Sequence, residues 1–213
     1  MIQGCRSGKE ITTSDKSEPD IVQLAETPEA RSAYIRGLSA MQLEDYEEAE
    51  RFLMEAYETL YNSAGVNYTL ATLYTAQSDY FNAIYYGQKA AELEPENTWY
   101  RLLLVHAHRA TGNYQEVIYH LDAILETDPG NLDILLLKAQ IQHERGDYAG
   151  SNKTYESILK RTGSDRAIHY HRINNYSRMD DTDGVIRELN LILEHDQGSI
   201  NTLLMLAQFY LEQ

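Results

Sequence analysis

Between residues 103 and 125, apolar side chains recur three or four positions apart in two successive runs. The runs are Leu103, Leu104, Ala107 and Ala110, and then Val117, Leu121, Ile124 and Leu125. This spacing places apolar side chains along one face of an α-helix. Gly112 and Asn113 separate the runs, and both residue types adopt the left-handed backbone of a tight turn at low cost. The pattern therefore predicts two amphipathic helices joined by a short turn.

The same arrangement returns every 34 residues along most of the chain. The sets that keep this interval are Tyr46, Tyr80, Tyr114 and Tyr148; Ala49, Ala83, Val117, Ser151 and Val185; Ala56, Ala90, Ile124, Ile158 and Ile192; and Gly37, Ala71, Val105, Ala139 and Ile173. Several sets in phase indicate a stack of structural repeats. We expect the small residues at Gly37 and Ala49 to let the two helices of a unit approach closely. The tyrosines should fill the space between neighbouring units.

Counted from residue 30, the interval predicts five units and the first helix of a sixth. Their ranges are 30–63, 64–97, 98–131, 132–165, 166–199 and 200–213. The fifth unit departs most, because Thr182 takes the place of the turn tyrosine, and we expect looser packing there. In the sixth, Leu203, Leu206 and Tyr210 lie on an apolar face that no second helix covers. This face predicts either a longer chain or a partner that covers it.

The second unit carries the residues that point to a known family. Its pattern matches that of tetratricopeptide repeats at Leu70, Tyr74, Ala83, Tyr86, Ala90 and Pro95. The chain resembles this family over about residues 30–213. The resemblance implies an all-α fold, a right-handed superhelical solenoid of antiparallel helix pairs. It also implies that the first helices line a concave groove, which in this family takes an extended peptide or a helix.

Outward positions of the first helices supply the candidate binding residues of that groove. They are Tyr34, Tyr68, Trp99, His106, Arg109, Gln140, His143, Tyr170 and Asn174. Tyrosine, tryptophan and arginine are the commonest anchors of protein interfaces. The alternative for each residue is a packing role between helices. The cationic clamp with which chaperone-binding members hold a C-terminal carboxylate is not found at the matching positions.

Charge narrows the range of partners. The chain has 18 lysine and arginine residues against 33 acidic ones, a formal net charge of −15. Such a surface repels nucleic acid and anionic membranes. The acidity either keeps a long open surface soluble or attracts a basic partner. No apolar run reaches the length of about 18 residues that a membrane-spanning helix needs.

Residues 1–29 are polar and short of apolar anchors, which predicts a flexible tether. Thr27 and Pro28 suit the start of the first helix. Residues 2–5, ending in Cys5, weakly resemble the end of a bacterial lipoprotein signal, although no basic or apolar segment precedes Ile2. If Cys5 is such a cysteine, it is a lipidation site and the protein is anchored in the bacterial envelope. Otherwise Cys5 is an ordinary cysteine and the protein is cytoplasmic.

No arrangement of residues predicts catalysis. His143-Glu144 lacks the second histidine of a zinc protease motif, and no phosphate-binding, dinucleotide-binding or nucleophile-elbow motif occurs. His106 and His108 are two residues apart and point away from each other on a helix. His106 and His143 lie on neighbouring first helices and could approach each other, but two solvated side chains are the simpler interpretation. We therefore predict no enzyme, no cofactor and no metal site.

These observations predict a non-catalytic scaffold or adaptor that binds a peptide or protein segment in the concave groove. Assembly or secretion at a bacterial envelope is one setting that suits the tether and Cys5. A different hypothesis is that the repeats select substrates for a longer enzyme, whose catalytic domain follows residue 213. A third is a self-associating module that uses the terminal helix. The identity of the partner cannot be predicted from these residues.

Overall fold

The computed structural model describes residues 27–196 and 198–211, and these form eleven α-helices without a strand. The helices are α1 (Pro28–Gln42), α2 (Tyr46–Leu60), α3 (Ala64–Ala76), α4 (Tyr80–Leu93), α5 (Thr98–Ala110), α6 (Tyr114–Thr127), α7 (Leu132–Glu144), α8 (Tyr148–Thr162), α9 (Arg166–Arg178), α10 (Thr182–His195) and α11 (Ile200–Leu211). The predicted tether lies outside the described residues as far as residue 26, and so does Cys5. Its last two residues, Pro28 and Glu29, belong to α1.

Each odd-numbered helix is the first helix of a unit, and the even-numbered helix after it is the second. Consecutive helices pack against one another from α1 to α11, and α3 also contacts α1 and α5. This is the architecture of a solenoid, in which each helix pair contacts only its neighbours. The prediction of an all-α solenoid is confirmed.

Polar residues cap the second helices at the repeat interval. The side chains of Asp45, Asp79, Asp147 and Asp181 each accept a hydrogen bond from the backbone N–H three residues further on. Such caps satisfy one of the N–H groups that a helix start leaves free. At the start of α1, Thr27 caps the N–H of Ala30 at 3.2 Å, as the sequence predicts.

The turns inside the units share one backbone conformation. The residue before each cap has a positive φ, and these residues are Glu44, Ser78, Gly112, Gly146 and Asp180. The prediction that Gly112 supplies the turn is confirmed by its φ of 74°. Asn113 is not left-handed, because its φ is −83° and it occupies the capping position.

Close approach of helices within a unit depends on small residues in the first unit. A Cβ atom added to Gly37 would lie 2.6 Å from Cγ of Leu53 on α2. Nothing larger than glycine therefore fits without moving Leu53, which agrees with the expected role of Gly37. Larger residues, Val105 and Ile173, occupy the equivalent positions of α5 and α9 and are buried there.

The core changes character along the stack. Most buried apolar residues of the first two units form one cluster that reaches Ala107 of α5. Later units have smaller apolar clusters. Most buried polar side chains of the described residues lie in this later part, at His108, His120, Gln142, Ser151, Asn152, Thr154, His169, Asn175, Glu188, Ser199 and Thr202. The looser packing expected for the fifth unit is not seen at its centre, where Val185 and Leu189 are at most 1% exposed.

Candidate functional site

The first helices of the third, fourth and fifth units each present one row of regularly spaced side chains. The rows are Trp99, Leu102, His106 and Arg109 on α5; Asp133, Leu136, Gln140 and His143 on α7; and Tyr170, Asn174 and Ser177 on α9. We call them the first-helix stripes. Intervals of three and four residues place the members of a stripe on one side of the helix.

Apolar and polar residues alternate across the stripes. The half-buried members at the repeat interval are Leu102, Leu136 and Tyr170. The exposed members at the same interval are His106, Gln140 and Asn174. Trp99 adds a large aromatic ring that is 56% exposed. A half-buried apolar floor beside exposed polar groups is the composition that protein-binding surfaces commonly have.

Side-chain contacts connect consecutive first helices, and we call these contacts the joints. They are Tyr34–Thr69, Tyr68–Tyr100, Arg109–Glu144, His143–Asn175 and Tyr170–Thr202. Five of the nine predicted binding residues therefore belong to the joints. The other four are Trp99, His106, Gln140 and Asn174, and all of these are exposed.

Tyr34 is a packing residue, which corrects its prediction as a surface anchor. Its side chain is only 3% exposed, and its hydroxyl lies 2.8 Å from Oγ1 of Thr69. Burial raises the pKa of Tyr34, and the Thr69 hydrogen bond offsets part of that rise. A partner could not reach this ring unless α1 moved away from α3. Tyr68 is half-buried, and its ring centroid is 5.0 Å from that of Tyr100.

Arg109 is exposed but paired with the next first helix. Its Nε and Nη2 atoms lie 3.2 and 2.5 Å from the carboxylate oxygens of Glu144. The two side chains are 47% and 34% exposed. An exposed ion pair of this kind contributes about 0.2–1 kcal/mol. Exchanging Glu144 for an acidic group on a partner would therefore cost Arg109 little.

His143 belongs to a buried hydrogen-bond network between the fourth and fifth units. Its Nδ1 lies 2.5 Å from Oδ1 of Asn175. The amide nitrogen of Asn175 donates to Ser151 and Asn152 at 2.9 Å each, so its oxygen must be the acceptor. Nδ1 of His143 therefore carries the proton. His106 has a different neighbour, Tyr80, with ring centroids 6.2 Å apart.

Tyr170 connects α9 to α11 through its hydroxyl, which lies 3.2 Å from Oγ1 of Thr202. This hydrogen bond, together with a weaker contact to Arg166, lowers the pKa of Tyr170. The ring remains half-buried and forms part of the α9 stripe. Tyr170 is thus both a joint and a surface residue.

A second polar feature lies inside the units, where the first helix packs on the second. We call it the inner level. It consists of Tyr74 and Tyr86 in the second unit, His108 and His120 in the third, and Gln142 and Thr154 in the fourth, each pair 12 residues apart. Tyr74 stacks on Tyr86 with ring centroids 5.6 Å apart. Thr154 donates to the Gln142 side chain at 2.7 Å.

The histidines of the inner level are stacked, with ring centroids 5.7 Å apart and an interplanar angle of 20°. Burial, the neighbouring His108 and Arg101 lower the pKa of His120 to about 4. Burial also lowers the pKa of His108, against the opposing charge of Glu116. Both rings are therefore neutral at neutral pH. This pair was not predicted from the sequence, although both residues lie 34 positions after Tyr74 and Tyr86.

The α11 helix has an uncovered apolar side. Ile200, Leu203, Leu204 and Tyr210 are 71%, 46%, 64% and 56% exposed, whereas Leu206 is half-buried against the fifth unit. Among residues 27–196 and 198–211, none of the helices combines the length and the apolarity that crossing a lipid bilayer takes.

Comparison with known proteins identifies the repeat. Residues 108–171 match the family model described as a tetratricopeptide repeat. No curated protein sequence matches the chain. Among solved structures, a tetratricopeptide repeat protein from Parabacteroides merdae superposes with a TM-score of 0.65 at 13% identity, over 87% of this chain and 73% of that one.

Structures of MamA are similar as well. One has a TM-score of 0.64 at 14% identity and covers 79% of this chain and 92% of its own. Another, MamA from its residue 41 onward from Desulfovibrio magneticus, has a TM-score of 0.63 at 15% identity and covers 83% and 99%. At these identities the similarity concerns the fold alone. With the family match at residues 108–171, it shows that the described residues have the fold of tetratricopeptide repeat proteins.

Proposed function

We propose that the protein is a non-catalytic scaffold that binds a peptide or protein segment along the first-helix stripes of α5, α7 and α9. The carrying observation is the exposure of Trp99, His106, Gln140 and Asn174 on three consecutive first helices. Neighbouring units repeat this exposed surface at a regular interval, which suits an extended ligand. The first two units contribute less, because Tyr34 is buried and the residues at the position of His106, Leu38 and Thr72, are only half-exposed.

Trp99 is the expected anchor of the interaction. Tryptophan is enriched among residues that dominate binding energy, because it offers a large contact area with few rotatable bonds. Arg109 adds a guanidinium whose present partner, Glu144, is itself exposed. The half-buried Leu102 and Leu136 supply the apolar floor on either side. A segment with an apolar side chain beside an acidic one would match this arrangement.

The test compares two triple variants by affinity purification and quantitative mass spectrometry. The binding-surface variant is Trp99→Ala/His106→Ala/Asn174→Ala. The control is Phe81→Ala/Gln115→Ala/Asn190→Ala, which removes a similar set of exposed side chains from second helices. We expect the binding-surface variant to lose bound proteins at least about tenfold, corresponding to about 1.4 kcal/mol, and the control to retain them. Equal recovery with both variants, at equal thermal stability, would refute the proposed surface.

A second candidate function is self-association through α11, which the exposed Ile200, Leu203, Leu204 and Tyr210 favour. An exposed apolar helix face next to a solenoid core is a natural contact for a second copy of the chain. Light scattering over a dilution series tests it directly. A wild-type protein that stays monomeric at every concentration would exclude this interface. Loss of a dimer in Leu203→Ser/Leu204→Ser would support it.

We also propose the envelope setting and the lipid anchor at Cys5 as hypotheses that rest on the sequence alone. Mass spectrometry of the native protein decides between lipidated and free Cys5. An unmodified cysteine in a chain that keeps its natural start would remove the anchor. The binding surface does not depend on this outcome, because its residues lie on α5, α7 and α9.

A further inference from the structure

Three side chains with metal-binding chemistry meet inside the third unit. His108 on α5 faces Glu116 and His120 on α6, and one ligand atom from each lies within 4.8 Å of the others. Glu116 and His120 are four residues apart, which places them on the same side of α6. The short turn at Gly112 brings α5 back against that side. Two neighbouring helices therefore present two imidazoles and a carboxylate to one point.

The two histidines lack hydrogen-bond partners. His108 and His120 are 4% and 6% exposed, and within the described part of the chain neither ring nitrogen of either residue has a partner. A buried polar group without a partner is destabilising, and native proteins rarely keep one. Each of these neutral rings offers an unshared electron pair to its surroundings.

The other inner-level pairs do not share this deficit. The Tyr74 hydroxyl donates to Glu50 at 2.9 Å, and Thr154 donates to Gln142 at 2.7 Å. The equivalent position of the fifth unit is Glu188, which contacts His169 at 2.7 Å and Arg172 at 3.0 Å. The repeat thus accommodates polar residues at this level by giving them partners. His108 and His120 are the exception that calls for a ligand from outside the chain.

We propose that His108, Glu116 and His120 bind a divalent transition-metal ion, with Zn²⁺ as the best match. Two imidazoles and one carboxylate form a ligand set that zinc sites use, with a water molecule completing the coordination. Zinc ligands at 2.0–2.1 Å lie roughly 3.3 Å from one another in tetrahedral geometry. The ligand atoms now lie within 4.8 Å of one another, so binding would draw them together by up to about 1.5 Å. Harder ions such as Mg²⁺ and Ca²⁺ prefer oxygen ligands and fit this set poorly.

Charged side chains near the site act on metal binding in opposite directions. Glu116 supplies a negative charge beside His108, whereas the positive charge of Arg101 reaches His120. Nε of Arg101 donates to the Pro95 carbonyl at 3.0 Å, which keeps this arginine on the side of the loop between α4 and α5. Removing the charge of Arg101 should therefore strengthen metal binding. Tyr119 packs edge-on against His120, with ring centroids 5.1 Å apart.

A metal at this place would fasten α5 to α6. The α5 helix also carries Trp99, His106 and Arg109, which belong to the first-helix stripe on its opposite side. Metal binding would therefore stabilise the unit that presents the expected anchor. This inference does not depend on the proposed binding function, since its ligands lie in the interior of the unit.

The test measures Zn²⁺ affinity of untagged protein by competition with a chromophoric chelator. All variants carry Cys5→Ser, so that a thiolate cannot contribute. We expect one Zn²⁺ per chain, with a Kd on the order of micromolar or tighter. At a free zinc concentration about a hundred times Kd, Tm should rise by about 5–10 °C. Bound Co²⁺ should show visible absorption bands of a site with nitrogen and oxygen ligands.

Three variants and a control assign the ligands. His120→Leu and Glu116→Gln should each weaken binding by at least about tenfold. Glu116→Gln keeps the size of a half-buried side chain, so it also serves if the histidine variant folds poorly. Arg101→Gln should bind more tightly. His106→Ala, an exposed histidine on the same helix, should bind as the parent does. Absence of stoichiometric binding, or affinity unchanged in Glu116→Gln and His120→Leu, would overturn the proposal.

Discussion

The third and fifth units both bury histidine between their two helices, but only one of them satisfies it. In the fifth unit, Nδ1 of His169 lies 2.7 Å from Glu188, and Nε2 lies 3.1 Å from the Ser164 hydroxyl. In the third, His108 and His120 stack on each other without a hydrogen-bond partner among the described residues. Glu188 and His120 are two repeat intervals apart and so occupy the same position.

This comparison shows what the repeat determines and what it leaves open. The repeat interval fixes the position at which a polar side chain is buried. The residues around that side chain decide whether it is fully hydrogen-bonded or remains available to a ligand. In the fifth unit, Glu188 is 1% exposed and its carboxylate is used by both His169 and Arg172. In the third unit, Glu116 beside the buried histidine pair is only half-buried.

Glu188→Ala is expected to have the largest effect. The substitution leaves His169 buried without its carboxylate and removes the ion pair of Arg172. Breaking a buried pair in this way costs about 3–5 kcal/mol of unfolding free energy. Urea unfolding measures the loss, and hydrogen exchange should localise it to α9 and α10. Glu194→Ala, an exposed position of the same helix, is the matched control and should change stability by less than about 0.5 kcal/mol. A similar loss in both variants would contradict the network.

In the presence of a chelator, the double variant His108→Leu/His120→Leu should not lose stability, in contrast to Glu188→Ala. Replacing two unpartnered polar rings with apolar side chains removes their desolvation cost, so stability should stay equal or rise by up to about 2 kcal/mol. Thr154→Val is the contrast in the fourth unit. It leaves the buried Gln142 oxygen without its donor and should cost about 1–3 kcal/mol. Chemical unfolding of both variants is the measurement. A marked loss in the leucine variant would mean that the histidines are satisfied after all.

Tyr74 and Tyr86 of the second unit should contribute to a loss of stability at alkaline pH, together with other tyrosines whose pKa burial raises, such as Tyr34 and Tyr155. Burial, chiefly, raises the pKa of both Tyr74 and Tyr86. Above a pH of about 10, tyrosines of the unfolded chain lose protons that these two keep in the folded state. The unfolded state then binds fewer protons, so stability falls as pH rises. Urea midpoints between pH 9 and 11 should show this fall, and Tyr86→Phe should reduce its slope. Phe81→Leu, an exposed ring without a hydroxyl, should leave the slope as it is.

The turns should produce the smallest effect. Ser78 and Asp180 have φ values of 61° and 55°, whereas Gly112 and Gly146 occupy the same position with φ values of 74° and 83°. Side chains with a Cβ are strained in this left-handed region by about 1 kcal/mol. Ser78→Gly and Asp180→Gly should therefore stabilise the protein by about 0.5–1 kcal/mol, and Gly112→Ala should destabilise it similarly. A Cβ at Gly112 meets no atom within 4 Å, so the change would report the backbone alone.

The sequence was sufficient for the fold because the repeat signal is redundant. Tyr46, Tyr80, Tyr114 and Tyr148 are the first residues of α2, α4, α6 and α8, so one ladder located four helix starts. The positions of the turns followed from the residues just before these tyrosines. Local signals and the interval agree in the first four units, and in the fifth Asp181 still caps α10 although Thr182 replaces the tyrosine. This is the consistency expected of a sequence that specifies one structure.

The sequence was less informative about the surface, since spacing gives the side of a helix but not the contacts of a side chain. Tyr34 and Tyr170 occupy equivalent positions, but Thr69 captures the first ring in the interior while the second remains half-buried. The histidine pair was missed for another reason. His108 and His120 belong to no known ligand spacing, and only their equivalence to the stacked Tyr74 and Tyr86 could have placed them together.

The joints between first helices imply an uneven stiffness along the stack. The Tyr34–Thr69 joint is a buried hydrogen bond, and Tyr68–Tyr100 is a contact between aromatic rings. Neither responds strongly to dissolved salt. The Arg109–Glu144 joint is an exposed ion pair, and added salt weakens such pairs. Higher salt should therefore loosen the contact between the first helices of the third and fourth units while leaving the Tyr34–Thr69 joint unchanged.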